Sequence, residues 1–484
     1  MSARVAALLL WCLPLWAAAP KPALVLVQQA PQGEGSRIVR LGVDGVLQVL
    51  TAEFAEAADP CVSFEGTHIL FAGRQAAGDS WQIWAMQADG SDKRQLTSGL
   101  GECREPIYLA KAAVDAPDFE QKVRWFCFTS TAPGVPDETG RGPLRSLYAQ
   151  SIEPVPGRGI VTWRTTYGLS SDASPTILGD GRVLYSSWQR EGLVLMTISW
   201  AGEDLNAFYG THDGALSQSE ACELPDRTVV FIEHQSPDPH QGGQLARVDL
   251  RRPLATHQVL SHADEEYRTP HPAPDKGLLV AHRRQGGTWG IYRFTPAKSR
   301  LGPKVLDDPA WDEFDAQVLA PRPEPDGHIP MVEFASVLDV GELKGLAQLQ
   351  CLNVYDSDRP DRAAPGRVTR VRLIEGLPLA PGDAPAGQAG SWPPPGVHTR
   401  LLGEAPVEPD GSFFVNVAGN VPFYMQTLDA QGQVVQTMRA WTWLRSGDQR
   451  GCIGCHEDKE LAPENRATQA LIRALPPTLK GEGR

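Results

Sequence analysis

One rhythm of short strands recurs five times along the first two thirds of this chain, and it restricts the possible folds more than any other feature. The first copy, "DPCVSFEGTHILFAGR…WQIWAMQADGSDKRQLTSG" (59–99), opens on Asp-Pro and turns at Glu65-Gly66. Apolar runs follow at His68–Phe71 and Gln82–Met86, and then a turn at Asp89-Gly90-Ser91. Such runs separated by Asp-Gly turns form the strands of an antiparallel meander. Later copies start near 105, 173, 220 and 269. "ASPTILGDGRVLYSSWQ" keeps the Asp180-Gly181 turn, "EACELPDRTVVFIEHQ" keeps "LPDR", and "TPHPAPDKGLLVAHRR" keeps "APDKG". The 105–131 copy carries an insertion between its first two strands. A sixth opening, "FDAQVLAPRPEPDG" (314–327), supplies a first strand and stops.

Apart from that insertion the period is about 45–50 residues, which is one four-stranded propeller blade. The pattern resembles the repeat of TolB-like β-propellers. The incomplete copy lacks three strands, and "ALVLVQQ", "RIVRLGV" and "GVLQVLT" within 22–50 offer three strands with no opening strand of their own. Joining them to the strand at 314–322 completes a sixth blade and removes the open edges of the ring. The expected fold is therefore all-β, with a six-bladed TolB/WD40-like propeller over 20–325. A seventh blade would have to lie hidden in 132–168. Two separate sandwiches would leave the fixed order of turn residues unexplained. The chain has 47 glycines and 41 prolines among 484 residues, which suits many short strands.

After about 326 the rhythm changes. Beyond the loop "GQAGSWPPPG" (387–396), Phe413, Val415 and Val417 alternate with Phe414, Asn416 and Ala418, and Asp429–Gly432 makes a tight turn. Residues 326–475 read as a small antiparallel sandwich-like module. It closes on a short helix, 463–475, with Leu471, Ile472 and Leu475 on one face. Residues 476–484 read as a disordered tail.

At the exit of the sandwich stands "RGCIGCHEDK", with Cys452, Cys455 and His456 in the order C-x-x-C-H. Two thiols at this spacing can add across the vinyl groups of a haem, and the adjacent histidine can then ligate the iron. The cofactor expected is one covalent haem c with His456 as proximal ligand. A zinc site needs four ligands, and the sequence has no second C-x-x-C. A dithiol oxidoreductase would place its cysteines beside a βαβ pattern, which is absent. The amino terminus agrees with haem attachment outside the cytoplasm. Arg4, the apolar Val5–Trp16 and Ala17–Ala19 have the form of a signal peptide over 1–19, so the mature protein is expected in the periplasm or secreted. No other segment approaches the length of a membrane span. The net charge of −13 argues against nucleic-acid partners.

The run "LGEAPVEPDGSFFVNVAGNVPFYMQTLDAQG…MRAWTWLRSGDQRGCIGCHEDKELAPENR" resembles the C-terminal part of proteins of the hydrazine synthase alpha subunit-like family. The resemblance extends over about 59–471 and is most specific in 401–466. It implies a six-bladed propeller joined to a C-terminal c-type haem segment. It also implies a histidine as the distal haem ligand, for which His398 is the candidate ahead of His328, with Met425 and Met438 more plausible as core. The family carries a second, catalytic haem in an N-terminal domain, and this chain shows one C-x-x-C-H and no domain ahead of the propeller. The leading expectation is thus a periplasmic monohaem cytochrome that transfers single electrons. Its propeller would dock a redox partner or other haem subunits. The rival readings are a subunit of a hydrazine-synthase-like or peroxidase-like enzyme acting on a small nitrogen or oxygen compound, and a scaffold with a structural haem.

Some residues outside the motif carry expectations of their own. Trp441, Trp443 and Phe423 could wall a haem pocket or serve as core. Cys103 and Cys127, on neighbouring strands, could form a disulfide. Cys61 and Cys222 hold equivalent places in blades on opposite sides of the ring, too far apart for a bridge. His271 shares that repeat position and could face a metal or ligand in the channel.

Overall fold

The computed structural model describes residues 22–481, apart from 32, 34, 113–122, 190–191, 211–215, 237, 285, 327–343, 381, 386–390, 456, 458–460, 466 and 473–474. The described residues form eight four-stranded sheets. Six are propeller blades, and their innermost strands are Glu56–Val62, Cys103–Ala112, Asp172–Ile177, Ser217–Glu223, Glu266–Pro272 and Asp312–Val318. Each innermost strand touches the next, and the sixth touches the first, so the ring is closed. The closing blade is built as the sequence suggests, with Asp312–Val318 paired to Leu24–Gln29, then Ser36–Leu41, then Leu47–Val49.

Blades pack face to face, which explains why their second strands are apolar without alternation. In "HILFAGR", Leu70 and Ala72 face a core shared with the second blade. Ile69 and Phe71 face a core shared with Val25 and Ile38 of the sixth. Fully burying a ring such as that of Phe71 stabilises the fold by about 1.5–3 kcal/mol. Residues 132–168 hide no seventh blade. Ser146–Ser151 and Thr162–Arg164 are the third and fourth strands of the second blade. The insertion after its first strand lies outside the described residues.

The chain leaves the sixth blade across one face of the ring. The Arg322 amide donates to the carbonyl of Phe64 on the first blade, and the Asp326 amide donates to that of Gly179 on the third. The proline-rich segment 319–326 therefore straps the channel on this side.

The last two sheets pack as a sandwich. One contains Gln449–Cys452, Leu346–Cys351, Phe413–Ala418 and Thr478–Leu479, in that order. Its companion contains Val397–Pro406, Arg370–Pro378, Phe423–Leu428 and Val434–Thr437. Leu349, Val415 and Val417 of the first meet Val371, Leu373 and Leu402 of the second. The sandwich is not wholly antiparallel, because Gln449–Cys452 and Thr478–Leu479 both pair parallel to their neighbours. The second pairing corrects the expected disordered tail: Leu479 is buried against the sandwich core, and the Asn416 amide donates to the Pro477 carbonyl. The helix is shorter than expected, Gln469–Ile472, and its supposed apolar face is exposed, with Ala470 buried instead.

The sandwich grips the flank of the second and third blades. Trp443 inserts among Trp125, Tyr185 and Trp200. Arg445 stacks over Trp163 and donates to the Ala201 carbonyl, and Arg450 donates to the Leu205 carbonyl. Trp441 Nε1 donates to Glu138 Oε2 at 2.7 Å, in a joint where both residues are buried. No helix among the described residues is long and apolar enough to cross a membrane.

Candidate functional site

Cys452 ends a strand paired parallel to Leu346–Cys351, with Cys351 as its register partner. The chain then follows residues 352–356 closely. Leu352 N donates to Cys452 O at 2.9 Å, Asn353 N to Ile453 O at 3.1 Å, and Cys455 N to Asp356 O at 2.9 Å. Gly454 is required by this approach, since a Cβ there would overlap the Asp356 backbone. Cys452 and Cys455 are partly buried against the sandwich core and are not disulfide-bonded. Burial raises the pKa of both thiols, that of Cys455 to about 12. Two unpaired, protonated thiols three positions apart on a pinned turn fit the donor set of a covalently held haem. No group of three or more His, Cys, Asp or Glu among the described residues is arranged to hold a metal ion.

His456 and His328 lie outside the described residues. The fold does not bring His398 to the cysteines. His398 pairs with Leu377, near the loop that carries Ala418 of one sheet into Phe423 of the other. Cys452 lies at the other end of the sandwich, where Cys351 pairs with Phe413. His398 is exposed, and its Nε2 sits 3.2 Å from Asp383 Oδ2. Met425 packs on the sandwich core and Met438 follows the last companion strand. Phe423 is core, Trp441 seals the joint with the propeller and Trp443 enters the propeller itself. These aromatics act as packing, and Phe423 belongs to the core against which Cys452 and Cys455 lie.

The expected Cys103–Cys127 disulfide is absent, and both cysteines are free. The first strand of the blade shifts register between Arg104 and Ile107, so Cys127 faces Ile107 while Cys103 faces Ser130. The two side chains also enter different cores on opposite faces of the blade. Cys61 and Cys222 are buried, unbridged and in different cores.

His271 does line the channel, as expected, and burial lowers its pKa to about 4 with help from Arg322. Beside it lies a ring that the sequence reading missed. Every innermost strand is interrupted at one equivalent place by a non-glycine residue in the left-handed region: Asp59 (φ 54°), Glu105 (54°), Ser174 (50°), Glu220 (48°), Thr269 (43°) and Asp315 (53°). The pairing register shifts at each place, and a bulge of this kind re-aims the side chain. The side chains hand on around the channel. Asp59 accepts from the Glu105 amide at 3.0 Å, Glu105 from the Ser174 amide at 3.0 Å, Glu220 from the Thr269 amide at 2.7 Å and Thr269 from the Asp315 amide at 3.0 Å. Arg104 forks onto Asp59 at 2.6 and 3.0 Å, and Arg268 reaches Glu220 at 2.7 Å. The openings Asp-Pro, Glu-Pro, Ser-Pro and Thr-Pro were the available sign of this ring.

Residues 366–457, which include both cysteines, match the family profile described as hydrazine synthase alpha subunit middle domain. The sequence-based expectation placed this segment in the family's C-terminal part, and the match corrects that to a middle domain. Over 513 aligned residues the chain is 30% identical to hydrazine synthase subunit alpha of Kuenenia stuttgartiensis, covering 87% of this chain and 62% of that protein. The chain thus spans less than two thirds of that relative's length. The solved structure of Kuenenia stuttgartiensis hydrazine synthase superposes with a TM-score of 0.84 at 27% identity, over 94% of this chain and 71% of the other.

Proposed function

Because this chain belongs to the hydrazine synthase alpha-like family, we propose that it is a haem-bearing subunit of a multi-subunit enzyme similar to hydrazine synthase, acting on a small nitrogen compound. The observation that carries this reading is the pinned, unpaired Cys452–Cys455 pair inside the segment that matches the middle domain. In it, Cys452 and Cys455 would hold one haem c by thioether bonds, with His456 as a ligand to its iron. The haem supplies a redox-active iron that can take up a small ligand. The chain's own contribution is to place that group. Arg445, Arg450 and Trp443 fasten the attachment strand to the propeller flank, and Gly454 lets the turn lie against Asp356. The attachment chemistry and the reading of residues 1–19 as a signal peptide support export to the periplasm, where further haem subunits or a redox protein would be the partners.

An electron-transfer cytochrome would use the same cysteines, but the likeness to an alpha subunit favours the enzymatic reading. Exposing the reduced, haem-loaded protein to carbon monoxide distinguishes the two. A shifted Soret band supports an iron with a position open to substrate. Six-coordinate low-spin iron indifferent to the gas overturns the enzymatic reading in favour of electron transfer.

A further inference from the structure

We propose that the propeller channel, strapped across one face, is a binding site for a small organic ammonium ion, held by the carboxylates of Asp315 and Glu105. The channel pocket has a volume of about 970 Å³ and is lined by residues of all six blades. Its floor is the strap 319–326, where Arg322 stacks on Phe64 and donates to the Val62 carbonyl. A strap across one face and a volume of this size favour a small molecule over a threaded polypeptide.

The charges in the ring select a cation. Four carboxylates of the ring, Asp59, Glu105, Glu220 and Asp315, face the guanidiniums of Arg104 and Arg268, and the rest of the lining adds Glu56, Glu223 and Asp238 against Arg74, which pairs with Glu56, and Arg322. Arg104 is committed to Asp59 and Arg268 to Glu220. Arg268 and His240 outweigh the burial of Glu220 and hold its pKa at about 2, so that carboxylate is already satisfied. Glu105 accepts from the Ser174 amide and from Thr129 Oγ1 at 3.1 Å, with no guanidinium or ammonium on it among the described residues. No hydrogen bond reaches the Asp315 carboxylate from the described residues. Burial, with Asp59 and Glu220 beside it, raises its pKa to about 7 against the opposing pull of Arg268 and His240. An ammonium group brings three N–H donors and one positive charge, which these two carboxylates lack. A metal ion would need a compact ligand shell, and the described residues offer none.

His240 stands at the open mouth. Its ring nitrogens lie 3.7 Å from Glu105 Oε1 and 3.6 Å from Glu220 Oε1, and it is half exposed. Its pKa is raised because Glu220 and Glu105 outweigh burial and the opposing Arg268. Protonated, it supplies the cation that the ring lacks and competes with the ligand. The ligand therefore binds best once His240 is neutral and Asp315 is ionised, and affinity rises from about pH 6 to about pH 8. Near these two groups the charged and titratable residues are Asp59, Arg104, Glu105, Glu220, Asp238 and Arg268, and Arg322 and His271 lie deeper.

The test is calorimetric titration of the full chain with ethylammonium and 1,4-diaminobutane, with tetramethylammonium as a probe that lacks N–H donors. Saturable binding of the first two, at least about tenfold tighter than that of the third, is expected. Asp315→Asn should weaken it about tenfold or more, and His240→Gln should tighten it at about pH 6 and flatten the pH dependence. Absence of saturable binding by the wild type overturns the proposal. So does an affinity unchanged by Asp315→Asn in a variant that keeps the wild-type circular dichroism, or a pH profile unchanged by His240→Gln.

Discussion

Replacing Trp441 by phenylalanine should loosen the joint between sandwich and propeller while leaving each folded. Trp441 Nε1 donates to Glu138 Oε2 at 2.7 Å, and Ser170 Oγ donates to the same oxygen at 3.0 Å. Glu138 is 2% exposed and Trp441 3%, so water cannot replace a lost donor. A hydrogen bond to a charged group is worth about 1.5–3 kcal/mol, and the smaller ring forfeits about 1 kcal/mol of packing. Trp441→Phe should therefore cost about 3 kcal/mol locally, on these two terms. In a Glu138→Gln background the acceptor is neutral and the bond about half as strong. The same substitution should then cost about 1 kcal/mol less, and that difference is the coupling energy. Native-state hydrogen exchange reads this directly. The Glu138 amide donates to the Leu169 carbonyl and the Gly396 amide to the Glu138 carbonyl, so both report opening of the joint. Their protection should fall about a hundredfold in Trp441→Phe. Equal losses in the wild-type and Glu138→Gln backgrounds would refute the hydrogen bond as the clamp. Unchanged protection would refute the joint itself.

Two further outcomes are expected. Burial raises the pKa of Asp172 to about 7 despite donation from the Thr166 and Ser187 hydroxyls. A folded-state value above the unfolded one stabilises the protonated form, so the contribution of Asp172 is fully present below about pH 4 and is lost as pH rises through about 7. In paired denaturation curves, Asp172→Asn should gain more than about 1 kcal/mol on the parent between about pH 5 and about pH 8; a gap that does not change with pH contradicts this. Gly454→Ala forces the Cys452–Cys455 turn away from Asp356 and should destabilise the sandwich by about 1–3 kcal/mol. Faster alkylation of Cys455 in the cofactor-free protein would show it.

The propeller was legible because its period repeats turn residues at fixed offsets, and because the three orphan strands at 24–49 matched the deficit of the last copy. The attachment cysteines were legible because their chemistry depends on spacing alone. The channel ring escaped notice because its positions repeat while the residues vary among Asp, Glu, Ser and Thr. Its conformation, a left-handed residue at each bulge, has no composition of its own. The Cys103–Cys127 pairing failed on the same bulge, which shifts one strand against the other and turns the two thiols to opposite faces. His398 was chosen for its place beside a proline-rich loop. Strand pairing carries it to the far end of the sandwich from Cys452, which sequence proximity cannot reveal. The ordered tail was hidden because Thr478–Leu479 is a two-residue strand, held by a sheet edge supplied from elsewhere in the chain.

A haem bound covalently at Cys452 and Cys455 underlies the proposed function. The direct measurement is the intact mass of denatured, exported protein, paired with a pyridine haemochrome spectrum after acid–acetone extraction. A chain heavier by one haem, a c-type haemochrome that stays with the polypeptide, and loss of both in Cys452→Ser/Cys455→Ser are the results predicted. An unmodified mass from cells competent in cytochrome c maturation, or haem that extracts completely into the solvent, would contradict it.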